Sequence, residues 1–285
     1  MYTTISASIL FLVAMGTAVA QESAPVAAST QTQGPALPLW ELGVFGGGLS
    51  TPAYPGSVDR TSRALALPFV IYRGEVFRAD RSSVGARMVH SKDYEIDLGF
   101  SVALPVNSDD VAVRKGMPDL GTLIEVGPRA KFTLARPKPG SQLVLELPLR
   151  MALEVGGGVR DKGVVFEPEL TYDIRDIGGG WSLGASAGWM FGDQRLNQHF
   201  YGVDAAYATA TRARYEAQAG LVATRLGLSS SKALTNDVRI SGFVRYETYQ
   251  GAANLSSPLH LAAHGTSYGM ALTWTLGRSA LRAKD

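Results

Sequence analysis

The sequence predicts an all-β protein: one antiparallel transmembrane β-barrel of about 12 strands, preceded by a cleaved signal peptide. Three observations carry this. Residues 142–155 alternate without a break, large apolar side chains at every odd position from Leu143 to Val155 and mostly polar or small ones between. That is the period of a strand, and at about 3.3 Å per residue the segment spans roughly 45 Å, far beyond an ordinary soluble strand. The connections between such segments sort by length into two alternating classes, as the two ends of a barrel require. Finally, the chain starts with a secretory pattern and contains no cysteine.

The N-terminus comes first. The apolar run Ile9 to Met15 is followed by Ala18-Val19-Ala20, and small residues at 18 and 20 suit a signal peptidase. Residues 1–20 are therefore expected to be a signal peptide. Residues 21–38, rich in Ala, Gln, Ser, Thr and Pro, bury too little apolar surface to order themselves and form a periplasmic linker. The barrel is expected over 39–277, with a periplasmic tail at 278–285.

Within that span the alternation recurs. Trp40, Leu42 and Val44 share a face, as do Leu65, Leu67, Phe69 and Ile71. Ile96 to Leu104, Ile124 to Leu134, Phe166 to Ile174, Trp181 to Trp189, Val238 to Tyr246 and Tyr268 to Leu276 follow the same rule. Weaker segments near 75–81, 84–90 and 212–228 bring the count to about 12, with 10 or 14 also compatible with the even number of a bacterial barrel. Numbered from a periplasmic N-terminus, the odd connections are 50–63, 82–83, 105–119, 156–163, 192–211 and 248–265. The even ones are Arg73-Gly74, Ser91 to Asp93, Arg136 to Ser141, Asp176 to Gly180 and Ser229 to Asn236. All four longest connections are odd, which places long loops outside, short turns in the periplasm and both termini inside. Trp40, Tyr72, Trp181, Trp189, Tyr246, Tyr268 and Trp274 lie near predicted strand ends, where amphipathic rings prefer the membrane interface. Pro128, Pro148 and Pro168 interrupt predicted strands, and each removes a ladder hydrogen bond, so bulges or local breaks are expected there.

The composition excludes several function classes. Without cysteine there is no thiolate metal site, thiol nucleophile or disulfide. A net charge of +2 gives no footprint for nucleic acid. Gly46-Gly47-Gly48 and Gly156-Gly157-Gly158 lack the Lys-Ser/Thr of a phosphate loop. Asp109-Asp110 with Arg114-Lys115, and His199, His260 and His264, fall in expected external loops; a carboxylate–histidine pair there would allow acid–base chemistry, but no spacing demands one. His260 and His264 suit a metal only on a helix. No cofactor is expected.

The inward face is the chemically richer surface. Alternation directs Glu95, Asp97, Glu125, Arg129, Lys131, Glu146, Arg150, Glu167, Glu169, Asp173, Arg239 and Arg245 into the lumen. Mixed charge of this kind either forms cross-strand ion pairs that plug a barrel or lines a water-filled pore, and the sequence leaves both open.

Short motifs in the loops and strand ends carry a family resemblance. They are Tyr54-Pro55-Gly56-Ser57, Tyr72-Arg73-Gly74, Asp80-Arg81 and Gly116-Met117-Pro118-Asp119, in this order across residues 39–277. Together they resemble the MipA/OmpV family, the MltA-interacting protein family of Gram-negative outer membranes. The resemblance implies a non-enzymatic barrel of the cell outer membrane, in contact with its lipid and lipopolysaccharide. It implies a scaffold that brings a murein transglycosylase to a peptidoglycan synthase; a porin-like channel for small polar solutes, or a surface adhesin, is the alternative it offers. No catalytic residue comes with it.

Overall fold

The computed structural model describes residues 38–73, 77–79, 84–91, 93–175 and 177–283. The expected signal peptide, nearly all of the expected linker, and the motif residues Gly74, Asp80 and Arg81 lie outside the described residues.

Among the described residues thirteen strands follow one another: β1 (Trp40–Pro52), β2 (Arg60–Arg73), β3 (Phe77–Ala79), β4 (Val84–His90), β5 (Tyr94–Ala103), β6 (Thr122–Ala135), β7 (Ser141–Val155), β8 (Val159–Phe166), β9 (Glu169–Ile174), β10 (Trp181–Gly192), β11 (Gly220–Ala233), β12 (Val238–Thr248) and β13 (His264–Arg278). Each pairs antiparallel with its neighbour in sequence order, except β8 with β9, and β13 pairs back onto β1. β8 and β9 both lie between β7 and β10, and they keep one register against each. They are two halves of one stave, so the thirteen strands make twelve staves and the sheet closes on itself. A closed sheet has no free edge, the condition for strands to cross a bilayer.

The break between β8 and β9 falls at Glu167-Pro168, where proline offers no N–H to the ladder. Pro128 and Pro148 lie at the same level on β6 and β7, where the β6–β7 ladder lapses between Val126↔Met151 and Arg129↔Pro148 without changing register. Gly127, inside this lapse, is in close backbone contact: a Cβ there would stand 2.1 Å from the Leu149 carbonyl oxygen.

Two segment boundaries differ from the sequence reading. The connection expected at 156–163 shrinks to 156–158, because Val159–Phe166 continues the hairpin beyond three positive-φ glycines. The strand expected near 212–228 runs instead from Gly220 to Ala233, since residues 212–219 join the preceding loop. The length sorting of the connections is preserved. Residues 53–59, 104–121, 193–219 and 249–263 all emerge at one mouth, and the described residues that follow β4, β6, β9 and β11 at the other. Pro38 bridges Arg282 at the short-turn end, which brings both ends of the barrel sequence together.

The outer surface is apolar between two aromatic levels. Trp40, Tyr72, Trp181 and Trp274 are exposed toward the short-turn end; Trp189, Tyr246 and Tyr268 are exposed toward the long-loop end. Between them Leu226, Leu228, Val70, Met270 and Leu272 face outward. Trp189 lies eight positions beyond Trp181 on β10, or roughly 20 Å across the membrane for a strand tilted by about 40°. No described helix is long and apolar enough to cross a membrane.

One apolar face points the other way. Leu65, Leu67, Phe69 and Ile71 turn inward, while Ala64, Ala66, Pro68 and the exposed Val70 face out. In register with them, Phe45 pairs with Leu67, and Gly43 lies beneath the Phe69 ring. The lumen thus has an apolar wall on β1 and β2 opposite its charged wall.

Candidate functional site

The candidate site is the lumen and the loops that roof it. Two ion-pair groups stand on the charged wall. On β5–β7, Arg129 grips Asp97 with Nε–Oδ1 at 2.9 Å and Nη2–Oδ2 at 2.7 Å, and reaches Glu146 at 3.5 Å. The register places Arg129 opposite Asp97 and Lys131 opposite both Glu95 and Glu146, so the alternating charges are cross-strand neighbours. Lys131 Nζ lies 3.7 Å from Asp97.

The second group runs along the lumen wall. Arg150 Nε bonds Glu125 at 3.0 Å, and its Nη2 bonds Glu167. Glu167 also binds Arg225, which holds Glu247 at 2.8 Å; Arg245 stands 3.5 Å from the same Glu247 oxygen. Tyr249 donates to the other Glu247 oxygen at 3.1 Å. Three glutamates and three arginines thus alternate from β6 to β12. The bridge from Glu167 to Arg225 passes over β10 at Gly188, the residue registered with both Glu169 and Arg225. A Cβ at Gly188 would lie 2.7 Å from the Pro168 carbonyl oxygen.

Of the expected inward residues, the structure joins Asp97, Arg129, Lys131 and Glu146 in one group and Glu125, Arg150, Glu167 and Arg245 in the other. On β9 Glu169 lies opposite Glu146 and Asp173 opposite Gln142, and Arg239 bonds the Ser231 hydroxyl at 3.3 Å. Glu95 sits opposite Lys131. Arg225 and Glu247, which centre the second group, escape the sequence reading. Both carry the usual signal: Arg225 precedes the outward Leu226, and Glu247 follows Arg245 by two positions. The misplaced strand boundary hid Arg225.

Below the roof these walls line a partly open chamber of about 630 Å³. Glu146, Glu169, Asp173 and Arg239 line it together with Phe45, Phe69 and Phe243; Arg239 and Phe243 share the inward face of β12.

The roof is built by the four long loops, and each loop bonds the next in a ring. Ala112 N–H donates to Asp59 at 3.0 Å, joining the first loop to the second. Arg114 Nη1 donates to the Phe200 carbonyl at 3.2 Å and Arg212 Nη1 to the Val113 carbonyl at 2.7 Å, joining the second to the third. The Asn254 side chain bonds both the N–H and the carbonyl of Gln218, joining the third to the fourth. Tyr54 hydroxyl donates to the Leu259 carbonyl at 2.7 Å, and the Gly56 carbonyl accepts from Leu261 and Ala262, closing the fourth onto the first. Helix α1 (Gln194–Tyr201) starts where Asp193 caps the Leu196 N–H. Its Leu196 and Tyr201 pack with Tyr54, Val111, Tyr249 and Leu259 in the molecule's buried apolar core.

The motif residues divide between the two ends. Tyr54, Gly56 and Ser57 serve the roof, where Gly56 holds φ +85° against the His260 ring; Pro55 lines the chamber. Gly116 turns the second loop at φ +76°. Met117 packs on the core, the Pro118 carbonyl accepts from Ser108 and Arg114, and Asp119 accepts the Ser108 N–H at 2.7 Å. Arg73, at the opposite end, pairs with Glu41 at 2.7 Å beside Tyr72.

Burial governs the titration of the roof. It raises the Tyr54 hydroxyl to about 12 against the opposing pull of Arg114, and raises Tyr201 and Tyr249. It lowers His199 to about 4, helped by Lys162, and lowers His260. His199 Nε2 and both ring nitrogens of His260 are buried without a hydrogen-bond partner. His260 lies between the Tyr201 and Tyr249 rings, at 5.5 and 5.3 Å. Residues 254–263 are turns rather than the helix a His260–His264 metal pair needs; His264 opens β13 and bonds Tyr246 at 2.9 Å. Asp109 and Asp110 are exposed in a short helical turn, whereas their sequence neighbour Arg114 is buried.

A family model described as MltA-interacting protein MipA matches residues 44–276, all but a few residues of the barrel. The chain belongs to this family. Membership, the closed sheet and its apolar outer band make it a protein of the cell outer membrane. Among solved structures, a bacterial polysaccharide outer membrane secretin is 9% identical with a TM-score of 0.40, over 83% of this chain and 99% of that one. Outer membrane phospholipase A from Escherichia coli is 11% identical, TM-score 0.35, over 82% and 92%. A Pseudomonas aeruginosa FadL homologue is 8% identical, TM-score 0.29, over 84% and 90%. Likenesses this distant transfer no chemistry. A comparison with curated proteins gives no match.

Proposed function

We propose that this MipA-family barrel is a roofed, non-conducting scaffold of the outer membrane, without catalytic activity of its own. The observation that carries the reading is the ring of four bonded loops with a buried core at its centre. Tyr201, Leu196 and Leu259 are each at most 1% exposed, which is interior packing. A diffusion pore keeps a wet path through its lumen, whereas here a packed roof lies over one mouth, and beneath it Arg150, Glu167 and Arg225 are linked along the lumen wall.

The short-turn end is then the working surface, and the family's name points to its partner, a lytic murein transglycosylase of the MltA kind, with a peptidoglycan synthase as the second client. Surface ion pairs such as Arg136–Asp93 and Arg278–Asp237 stud that rim with both signs of charge, suited to a polar, salt-sensitive docking face. Long loops outward and short turns toward the periplasm give this end access to the cell wall. Detergent-extracted protein should retain the transglycosylase on a column, and reversing Arg136, Lys138 and Arg175 to Glu should release it. Equal retention of the reversed variant and the native protein would remove this reading.

A further inference from the structure

The chamber beneath the roof carries an inference independent of the scaffold role. We infer that it is a binding site for an organic ammonium ion with an apolar, preferably aromatic, body.

The charges of the lumen are not evenly neutralised. The arginines at 150, 225 and 245 are committed to Glu125, Glu167 and Glu247. On β7 and β9, Glu146 and Glu169 are direct cross-strand partners, an arrangement of like charges that destabilises a sheet unless something cationic sits between. Arg129 touches Glu146 only at 3.5 Å, its main commitment being Asp97. Asp173 follows on the same inward face of β9. It is 6% exposed, it lines the chamber, and its Oδ2 has no hydrogen-bond partner. Its Oδ1 leans over the bare backbone of Gly184, with Arg175 near the turn beyond. A buried carboxylate oxygen left unbonded costs free energy that an N–H donor would recover.

Aromatic rings of the lining supply the second half of the recognition. Phe45, Phe69 and Phe243 line the same chamber, and glycines at 43 and 269 let the Phe69 and Phe243 rings lie close over the sheet. Aromatic faces attract cations and cover apolar bodies, and a volume near 630 Å³ is that of a small-molecule site. Arg239 also lines the chamber, so an anion is the rival occupant, and the probes must separate the two.

The test is calorimetric titration of the intact, detergent-extracted protein with 2-phenylethylamine, 2-phenylethanol and 3-phenylpropanoate. The amine should bind at least about tenfold more tightly than the alcohol or the carboxylate. Asp173→Asn and, separately, Glu169→Gln should each weaken the amine about tenfold while keeping the native heat-shifted gel band. Phe69→Leu should weaken amine and alcohol alike. Absence of amine binding at millimolar concentration, equal or tighter binding of the carboxylate, or unchanged affinity in both carboxamide variants would overturn the inference.

Discussion

Glu167 and Arg225 form an ion pair across a stave to which neither belongs. The pair exists because Pro168 breaks one stave and Gly188 leaves the next bare at the crossing point. Buried charge networks gain little over apolar packing but lose heavily when one member is removed. Arg225→Met leaves Glu167 and Glu247 facing each other and should cost about 3–5 kcal/mol. The double variant Arg225→Met, Glu167→Gln leaves Glu125 with Arg150 and Glu247 with Arg245 and should recover much of that loss. The midpoint temperature of the heat-modifiable gel shift reads both; a double variant no more stable than the single one would contradict the account.

Backbone closeness at the proline level gives a second expectation. Gly127→Ala places a methyl 2.1 Å from the Leu149 carbonyl oxygen and 2.8 Å from Arg150 Cα. Rigid backbone cannot give way as a flexible side chain does, so a cost of about 1–3 kcal/mol is expected. Gly46→Ala meets nothing within 4 Å and should be silent in the same gel assay.

Much of the fold was legible because alternation and connection length are local signals. The stripe from Leu143 to Val155 alternates in burial as its residues do, with Leu149 and Met151 exposed and Arg150, Ala152 and Glu154 buried. Which face meets lipid is not a local property, and β2 shows why. Leu65, Leu67 and Phe69 look like a lipid face, yet they turn inward because Glu41 and Arg73, on the same side of the sheet, must pair inside. The roof was illegible for a related reason. Its bonds join residues as far apart as Tyr54 and Leu259, and nothing near Tyr54 announces that contact. Arg114 read as a loop charge for want of Tyr54, 5.6 Å below its guanidinium, and the Phe200 carbonyl.

The roof's tethers differ in weight. Tyr54→Phe removes one hydrogen bond to Leu259, worth about 1 kcal/mol. Arg114→Ala removes bonds to Ser108, Phe200 and Pro118 and the contact with the Tyr54 ring, and should cost about 2–4 kcal/mol of roof stability. Limited proteolysis should cut residues 104–121 and 193–219 faster in Arg114→Ala than in Tyr54→Phe, with the barrel strands protected in both.

Acid should loosen the roof. His199 has a folded value of about 4, below its ordinary 6.5, because burial disfavours the charged ring. A depressed value means the unfolded loop takes up the proton first. The stability contribution is therefore complete above 6.5 and is lost as pH falls from there toward 4. His260 shifts in the same direction. Loop proteolysis should accelerate between pH 7 and pH 4.5, and His199→Phe with His260→Phe should flatten that rise. An unchanged slope in the double variant would assign the acid response to other groups.

The central claim is that a bonded ring of loops seals one mouth of this outer-membrane barrel, and planar-bilayer conductance tests it most directly. The intact protein should give no steady open-channel current, and Arg114→Ala, with the roof loosened, should give intermittent openings. A stable single-channel conductance from the intact protein, matched by Arg114→Ala, would contradict the account.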